Sequence, residues 1–398
     1  MVKLLLSGCL FFLVHASGYP QKSKLNRADK QFLSIIDKDF RTAASQYAIL
    51  AKHLPPGKFP KTYFPPSGSY EFSNASWWCS GFYPGTLLLL FEQNRDSNLY
   101  KEALRMLSLL EPQKNNKETH DLGFMMYCSF GNAERLSPDP RYRDILLSSA
   151  RSLSTRFNEK VGCIRSWNSQ PGDFLVIIDN MMNLELLFRA TKMSGDSSFY
   201  TIAVTHANTT LKNHFRPDNS SYHVVNYNSE TGAVQKKLTA QGANDSSAWA
   251  RGQAWGLYGY TVTYRETKNN LYLQQAKNIA AYILAQLPGD KIPFWDFDAP
   301  GIPHALRDAS AAAITASALI ELSGYVDNKT SKKYLSVAKA ILEKLSGPDY
   351  LAEQGSLGGF ILKHGVGHFP KNSEVDVPLT YADYYFIEAL KRYKDLLK

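Results

Sequence analysis

The chain has 398 residues, and 45 basic against 36 acidic residues give it a formal net charge of +9. The basic residues are dispersed, with no arginine-rich helix and no zinc-ligand spacing, which argues against a nucleic-acid-binding module. Such an excess of positive charge raises the local concentration of anionic ligands, but it does not identify which ligand binds. No linker-like segment interrupts the interior, so we expect one large domain over residues 19–398.

The first 18 residues have the layout of a secretory signal peptide, because an apolar run over 4–14 precedes the small residues Ala16 and Gly18. The apolar run is too short to span a bilayer. We therefore expect cleavage near Ala16 or Gly18 and a secreted protein. Three cysteines would remain, which permits at most one disulfide: Cys79, Cys128 and Cys163.

Helical periodicity is frequent along the rest of the chain and strand alternation is rare, which predicts a mostly α protein. The proline-rich stretch 54–69 is expected to be an ordered loop. The predicted helices are about 28–52, 81–94, 98–112, 120–134, 140–157, 176–194, 197–214, 249–266, 270–286, 308–323, 331–346 and 377–397.

These helices alternate between two kinds. One set is apolar on nearly every side, as in 122–128 and 255–260, and the other is amphipathic. A helix that is apolar all round must be buried all round. Six buried and six half-exposed helices in alternation predict an all-α (α/α)6 barrel with an inner and an outer ring.

Polar residues in the inner set gather at the N-terminal helix ends, which would converge on one mouth of the barrel. They are His120, Asp121, Asp179, Asn180, Arg251, Gln253, Arg307, Asp308 and Asp383. An aspartate at a helix start is commonly a cap with no further function, and this alternative stays open for Asp308 and Asp383.

Asp121 and Asp179 each enter an apolar helix. Burial and a neighbouring carboxylate both disfavour ionisation, so one of two such groups can hold its proton near neutral pH and act as an acid. Glycosidic chemistry commonly uses paired carboxylates of this kind.

The stretch 241–255 combines an amide, Arg251 and two tryptophans at the start of one buried helix. Arginine can grip a carboxylate with a planar fork, and tryptophan offers an apolar face to a sugar ring. The stretch therefore predicts a sugar-acid pocket, although Arg251 as a plain ion-paired residue and the tryptophans as core remain an alternative.

At these residues the chain resembles the unsaturated glucuronyl hydrolases of glycoside hydrolase family 88. The matching motifs recur in order over almost the whole mature chain: 78–85, 120–124, 178–184, 218–225, 241–255 and 373–386. The resemblance implies an (α/α)6 barrel that needs no cofactor or metal. It implies as substrate an oligosaccharide with a non-reducing-end Δ4,5-unsaturated glucuronic acid, left by a polysaccharide lyase.

The resemblance also implies roles for single residues. Asp179 matches the general acid/base that protonates C4 and assists water at C5, and Asp121 matches the second essential aspartate. Residues that match the family's substrate-binding positions are His223, Gln241, Arg251 and Trp255, with Trp78 and Trp167 as ring-stacking walls. Trp249 is assigned to the core.

Three places depart from the family pattern. Asn219 stands where the family usually has glycine. Asn244 brings a glycosylation sequon into the pocket motif, and because a glycan there would crowd the mouth of the barrel, we expect this sequon to be unoccupied or to point away. Stretch 364–373 lacks the clear serine and lysine spacing of members that favour sulfated chondroitin disaccharides. Sulfate preference, parent polysaccharide and oligomeric state are left open.

Two other functions compete with this prediction. An unsaturated rhamnogalacturonyl hydrolase would share the fold and the hydration chemistry, and would differ in the sugar next to the uronate. A secreted uronate-binding protein without catalysis is the other, and the presence of both Asp121 and Asp179 argues against it. No nucleic-acid or membrane partner is expected.

Overall fold

The computed structural model describes residues 27–397, and within this range twelve α-helices form two concentric rings. The outer helices are α1 (Arg27–His53), α3 (Ser97–Leu110), α5 (Pro140–Ser154), α7 (Ser197–Asn213), α9 (Asn270–Gln286) and α11 (Asn328–Leu345). The inner helices are α2 (Phe82–Asn94), α4 (Asn132–Leu136), α6 (Leu184–Ser194), α8 (Ala250–Thr267), α10 (Ala309–Ser323) and α12 (Thr380–Leu397). The predicted (α/α)6 barrel is confirmed.

The rings follow from side-chain character. Helix α10 is built almost entirely of alanine, serine, threonine and aliphatic residues, and every residue but Glu321 is buried. Its outer partner α11 buries only one stripe of five residues and turns its lysines outward. Successive inner elements pack on one another, and α12 packs back on α2. That last contact closes the ring.

Two of the predicted inner helices start in a different conformation. The predicted helix 120–134 is a π-helix over Gly123–Gly131 followed by the short α4. The predicted helix 176–194 starts instead as the end of strand β5 (Asp173–Ile177), which is followed by a 3-10 turn over Ile178–Asn183 before α6 begins. The apolar residues before Asp179 pair with a strand that is distant in sequence, Val224–Asn228, and this tertiary pairing overrides the local helical pattern.

Nine short strands lie within residues 27–397 and carry the loops of the barrel. They form two-stranded pairs β1 (Phe59–Phe64) with β2 (Ser69–Ser73), β3 (Phe157–Asn158) with β4 (Cys163–Ile164), and β8 (Gly365–His368) with β9 (Ser373–Val377). The remaining sheet has three antiparallel strands in the order β5 (Asp173–Ile177), β6 (Val224–Asn228), β7 (Val234–Leu238).

Two of these pairs correct the sequence predictions. The stretch 54–69 was expected to be a loop, but its residues Phe59–Phe64 form strand β1, which turns back into β2. The predicted last helix was expected to begin at 377 but begins at Thr380, after β9 and Pro378. Proline disfavours the helical conformation of the residue before it, here Val377. Short 3-10 turns complete the described chain: Trp78–Gly81, Glu111–Asn115, Leu357–Gly359 and Phe369–Lys371.

The three cysteines within residues 27–397, Cys79, Cys128 and Cys163, are all free and buried. No helix in the described residues is long and apolar enough to cross a membrane. The predicted signal peptide, residues 1–18, lies outside the described residues. Its cleavage stays a prediction.

Candidate active site

A cavity of about 380 Å³ opens at the N-terminal ends of the inner helices. Six of the eight predicted site residues line it: Asp121, Asp179, Gln241, Arg251, Trp78 and Trp167. The other two, His223 and Trp255, are buried behind Asp179. The convergence that the (α/α)6 prediction required is therefore present.

Strand pairing places Asp179 beside His223. Ile177 on β5 pairs with Val224 on β6, and the Ile178 amide donates to the carbonyl of His223 at 3.0 Å. Asp179 follows at once and turns into the cavity through the 3-10 turn. The sheet thus delivers the carboxylate to the mouth of the barrel, which a helix beginning at 176 would not do.

Burial controls the protonation of Asp179. The side chain is buried, and loss of hydration raises its pKa from 3.8 to about 7. The Arg251 guanidinium, the Asp179 backbone amide and the Trp255 indole lower this pKa, while the charge of Asp121 raises it. Asp179 can therefore hold a transferable proton close to neutral pH, as an acid catalyst requires.

Asp121 lies where the chain enters the π-helix and is more exposed than Asp179. The Thr119 hydroxyl donates to its Oδ2 at 2.9 Å, and His120 Nε2 lies 3.2 Å from its Oδ1. π-helical turns are rare and are frequently found at functional sites. The π-helix therefore agrees with a functional role for this segment.

A single asparagine joins the two carboxylate-bearing segments. Asn183, at the end of the turn that holds Asp179, accepts hydrogen bonds from the amides of Gly123 at 2.8 Å and Phe124 at 3.2 Å. A side chain at Gly123 would clash, because its Cβ would lie 2.4 Å from the Asn183 Cα. The two segments are therefore locked together at backbone contact.

Arg251 lines the cavity but is almost completely buried, with 1% of its surface exposed. Its Nη1 donates to Asp308 at 3.0 Å and to the Val366 carbonyl, and its Nη2 donates to the Gly367 carbonyl at 2.6 Å. The ion-paired alternative is thus realised, and Asp308 also caps α10. A grip of Arg251 on a substrate carboxylate stays a prediction.

The predicted tryptophans divide into two groups. Trp78 and Trp167 are partly exposed walls of the cavity. Trp255 has no exposed surface and packs between Phe124 and Tyr385, with ring centroids 5.0 and 5.2 Å away. Trp255 therefore supports the site from beneath Asp179 and offers no ring face to a sugar. Trp249 is buried, as assigned from the sequence.

The structure adds wall residues that the sequence did not single out. They are Lys61, Trp77, Phe124, Ile177, Gly367, His368, Lys371, Ser373, Glu374 and Tyr381. Most lie on β1 or on the β8–β9 hairpin, which helical periodicity does not reveal. Aromatic residues on both sides of the Pro-Pro-Ser-Gly turn are the sequence signal that could have identified the β1–β2 hairpin.

Both asparagine departures have a simple local explanation. Asn219 has a φ of +68°, a left-handed conformation that glycine adopts freely and asparagine tolerates. Asn244 is exposed, and its side chain accepts hydrogen bonds from the Ser246 amide and hydroxyl. Asn244 does not line the cavity, in agreement with the expectation that it points away.

Comparison with known proteins gives a consistent result, although no protein-family model matches the chain. The unsaturated glucuronyl hydrolase of Formosa agariphila is 51% identical over 80% of each chain. The crystal structure of an unsaturated glucuronyl hydrolase specific for heparin is 47% identical, with a TM-score of 0.88 over 91% of this chain and 98% of that one.

A third solved structure carries a ligand. It is an aspartate-to-asparagine variant of the unsaturated glucuronyl hydrolase from Streptococcus agalactiae in complex with dGlcA-GalNAc6S, 29% identical, with a TM-score of 0.78 over 90% of this chain and 91% of that one. The sequence identity to the Formosa protein and the shared barrel fold point to the same class of enzyme as the carboxylate-lined cavity does. The chain belongs to the family of unsaturated glucuronyl hydrolases and is a glycoside hydrolase.

Proposed function

We propose that this protein removes a Δ4,5-unsaturated glucuronic acid from the non-reducing end of an oligosaccharide by hydrating its C4=C5 vinyl ether. The observation that carries the proposal is the buried Asp179 carboxyl, which faces the cavity with a pKa near 7 and has a second carboxylate, Asp121, close by. A vinyl ether needs a proton at carbon, and an uncharged carboxylic acid can supply it near neutral pH.

In the proposed reaction Asp179 transfers its proton to C4, and positive charge develops at C5 and the ring oxygen. Asp121 stabilises this charge, as a fixed carboxylate in a partly desolvated site can. The ionised Asp179 then accepts a proton from the water that attacks C5. The resulting hemiketal opens, and the open-chain hemiacetal at C1 collapses to an aldehyde and releases the remaining sugar.

The walls suit a sugar acid. Trp78 and Trp167 are partly exposed aromatic surfaces, and the cations Lys61 and Lys371 line the same cavity. The names of the relatives support a glucuronyl substrate, and one relative is described as specific for heparin. We propose that a polysaccharide lyase supplies the unsaturated substrate, because lyase cleavage is the reaction that creates a C4=C5 bond at a new non-reducing end.

The direct test follows the ultraviolet absorbance of the unsaturated uronate, which hydration removes. The panel contains lyase-generated disaccharides from chondroitin, hyaluronan, heparin, gellan and ulvan, together with an unsaturated rhamnogalacturonan disaccharide. We expect turnover of at least one glucuronyl substrate. Turnover of the rhamnogalacturonan disaccharide alone would replace the substrate assignment, and binding of the whole panel without turnover would make the protein a non-catalytic uronate binder.

We further propose that residues 1–18 are a secretion signal. The support is their layout, a basic start, an apolar run and small residues at 16–18. When the full chain is expressed in a secreting host, the protein recovered from the culture medium should begin after Ala16 or Gly18, as determined by N-terminal sequencing. A deletion of residues 2–18 should keep the protein inside the cell, and secretion of that deletion would contradict the proposal.

A further inference from the structure

His223 lies behind Asp179 and is held by backbone amides on its far side. Its Nδ1 atom accepts hydrogen bonds from the amides of Ala240 and Gln241, both at 3.2 Å. A ring nitrogen that accepts hydrogen bonds carries no proton, and a neutral imidazole carries its single proton on the other nitrogen. The β6–β7 sheet and the chain that leaves it therefore fix the tautomer with the proton on Nε2.

Burial keeps this ring neutral. His223 is 3% exposed, and the loss of hydration lowers its pKa to about 3, with further lowering by the charges of Arg251, His368 and His120. The Trp249 ring lies 4.5 Å away, centroid to centroid, and fills the space beside it. The imidazole thus presents an uncharged N–H group near neutral pH.

That N–H group faces the acid. His223 Nε2 lies 3.6 Å from Oδ2 of Asp179, and among residues 27–397 neither atom has a hydrogen-bond partner. Buried polar atoms without partners are uncommon in native structures and call for an explanation. Here a donor and an acceptor lack partners and face each other, so a displacement of about half an ångström would form the bond.

We propose that His223 is a positioning residue that donates its Nε2–H to Oδ2 of Asp179 as that carboxyl ionises. The inference rests on the proposed role of Asp179 as the acid. Because Oδ2 faces His223, the transferable proton is carried by Oδ1. The bond strengthens as negative charge develops on Asp179, so it stabilises the transition state of protonation more than the ground state.

Other charged groups also act on Asp179 and must stay constant in a test. Arg251 and Asp121 act through their charges, and the Trp255 indole N–H is a second hydrogen-bond donor beside the carboxyl. None of these is changed by a substitution at His223. The proposal therefore predicts a specific effect of the Nε2–H group on the pH profile.

Two substitutions separate the donor from the rest of the ring. In His223→Asn the side-chain oxygen can still accept from the Ala240 and Gln241 amides, but nothing reaches Asp179. In His223→Gln the side-chain nitrogen reaches the position of Nε2 and can donate. We expect His223→Asn to lower kcat roughly ten- to hundredfold, as expected for loss of a hydrogen bond to a charged group, and to raise the kinetic pKa of Asp179. His223→Gln should restore most of both.

A rise in KM with an unchanged pH profile in His223→Asn would overturn the proposal and make His223 a substrate-contacting residue. Equal losses in the asparagine and glutamine variants would also overturn it, because packing would then matter more than the donor. Circular dichroism and thermal unfolding verify that both variants are folded.

A measurement on the unsubstituted protein needs neither activity nor a variant. Nitrogen NMR of ¹⁵N-histidine-labelled protein should show His223 with a protonated Nε2 and an unprotonated Nδ1, assigned by the missing signal in His223→Gln. The opposite tautomer would overturn the proposal. Since this result does not depend on turnover, it stays distinguishable from a failure of Asp179 as the acid, which the activity of Asp179→Asn reports.

Discussion

Two cavities of the barrel share Phe124 as a wall residue, and they differ in how their polar groups are partnered. The active-site cavity measures about 380 Å³, and the cavity at the opposite end, here called the basal cavity, measures about 610 Å³. The basal cavity is lined at its charged end by Glu134, Glu185, Arg189, Lys192, Arg265, Glu266, Glu388 and Arg392. Volume alone would select the wrong one.

Charges in the basal cavity neutralise one another. Arg265 pairs with Glu185, Glu266 and Glu321, and Arg392 pairs with Glu321 and Glu388. In the active-site cavity, by contrast, Oδ2 of Asp179 and Nε2 of His223 lack hydrogen-bond partners among residues 27–397, whereas Oε2 of Glu266, which lacks a hydrogen bond in the basal cavity, is ion-paired with Lys192. The comparison teaches that an unpartnered carboxyl with a raised pKa indicates the reaction site only when it also lines a cavity, since Asp39 has both properties, with a pKa that burial raises to about 6, and lines neither cavity.

A shifted pKa is also insufficient by itself. Burial raises the pKa of Asp383 to about 7, much as it does for Asp179. Asp383, however, accepts hydrogen bonds from the Ile361 and Leu362 amides and from the Tyr47 hydroxyl, and does not line the active-site cavity. It fixes residues 361–362 to the start of α12, which is a structural role, although Asp383 is not the helix cap that the alternative described.

The largest expected effect is the loss of turnover in Asp179→Asn. The amide keeps the shape but has no proton to transfer, so kcat should fall by about 10² to 10⁴ with the fold retained. The matched control in the basal cavity is Glu388→Gln, which should leave kcat unchanged. Retention of more than a tenth of wild-type activity by Asp179→Asn, measured by absorbance loss, would contradict the assignment.

Arg251→Ala should lower both stability and substrate affinity. Removal of the guanidinium leaves Asp308 buried without its cation, which typically costs about 3–5 kcal/mol in the free energy of unfolding. KM should rise as well if Arg251 also contacts the uronate. Denaturant unfolding and steady-state kinetics separate the two effects. A destabilised variant with unchanged KM would confine Arg251 to its ion pair.

Asp179 should also make stability depend on pH. Its pKa is about 7 in the folded protein and 3.8 in the unfolded chain, so the folded state alone keeps the proton between these values. This stability is fully present below about pH 4 and is lost as the pH rises to about 7, by about 1.4 kcal/mol per unit. The unfolding free energy of Asp179→Asn should lack this slope. Parallel curves for the two proteins would refute the raised pKa.

Arg265→Met tests the basal cavity. The substitution leaves three glutamates without their shared cation, and we expect a loss of about 2–3 kcal/mol because Arg265 is partly exposed. Turnover per folded molecule should stay the same. A clear loss of kcat without unfolding would show that the two cavities are coupled through Phe124, against the comparison drawn above.

The smallest effect is expected for Trp77→Ala. Trp77 is 40% exposed at the cavity rim, with the Lys61 ammonium 5.1 Å from its ring. Loss of an exposed aromatic surface should raise KM by about threefold to tenfold and leave kcat nearly unchanged. An unchanged KM for every substrate in the panel would remove Trp77 from the binding surface.

The sequence predicted the rings and the convergence of polar helix ends because both depend on local periodicity. It did not predict β5 and the π-helix, because each depends on a partner that is distant in sequence. Strand β5 pairs with β6, and the first residue of the π-helix, Gly123, donates its amide to Asn183. Arg251 shows the same limit. Its residue type is compatible with an ion pair or a substrate contact, and only the position of Asp308 and the Gly367 carbonyl shows which acceptors it reaches.

The central claim, hydration of the vinyl ether, is tested most directly by turnover in ¹⁸O-labelled water with mass spectrometry of both products. In first-formed product, sampled before its carbonyl groups exchange with solvent, the account predicts one labelled oxygen at C5 of the uronate and none in the released sugar. In deuterated water it predicts one deuterium at C4 of that first-formed product, and a saturated glucuronide should be inert. Initial label at C1 in place of C5, or hydrolysis of the saturated glucuronide, would show that Asp121 and Asp179 carry out ordinary glycoside hydrolysis and would contradict the account.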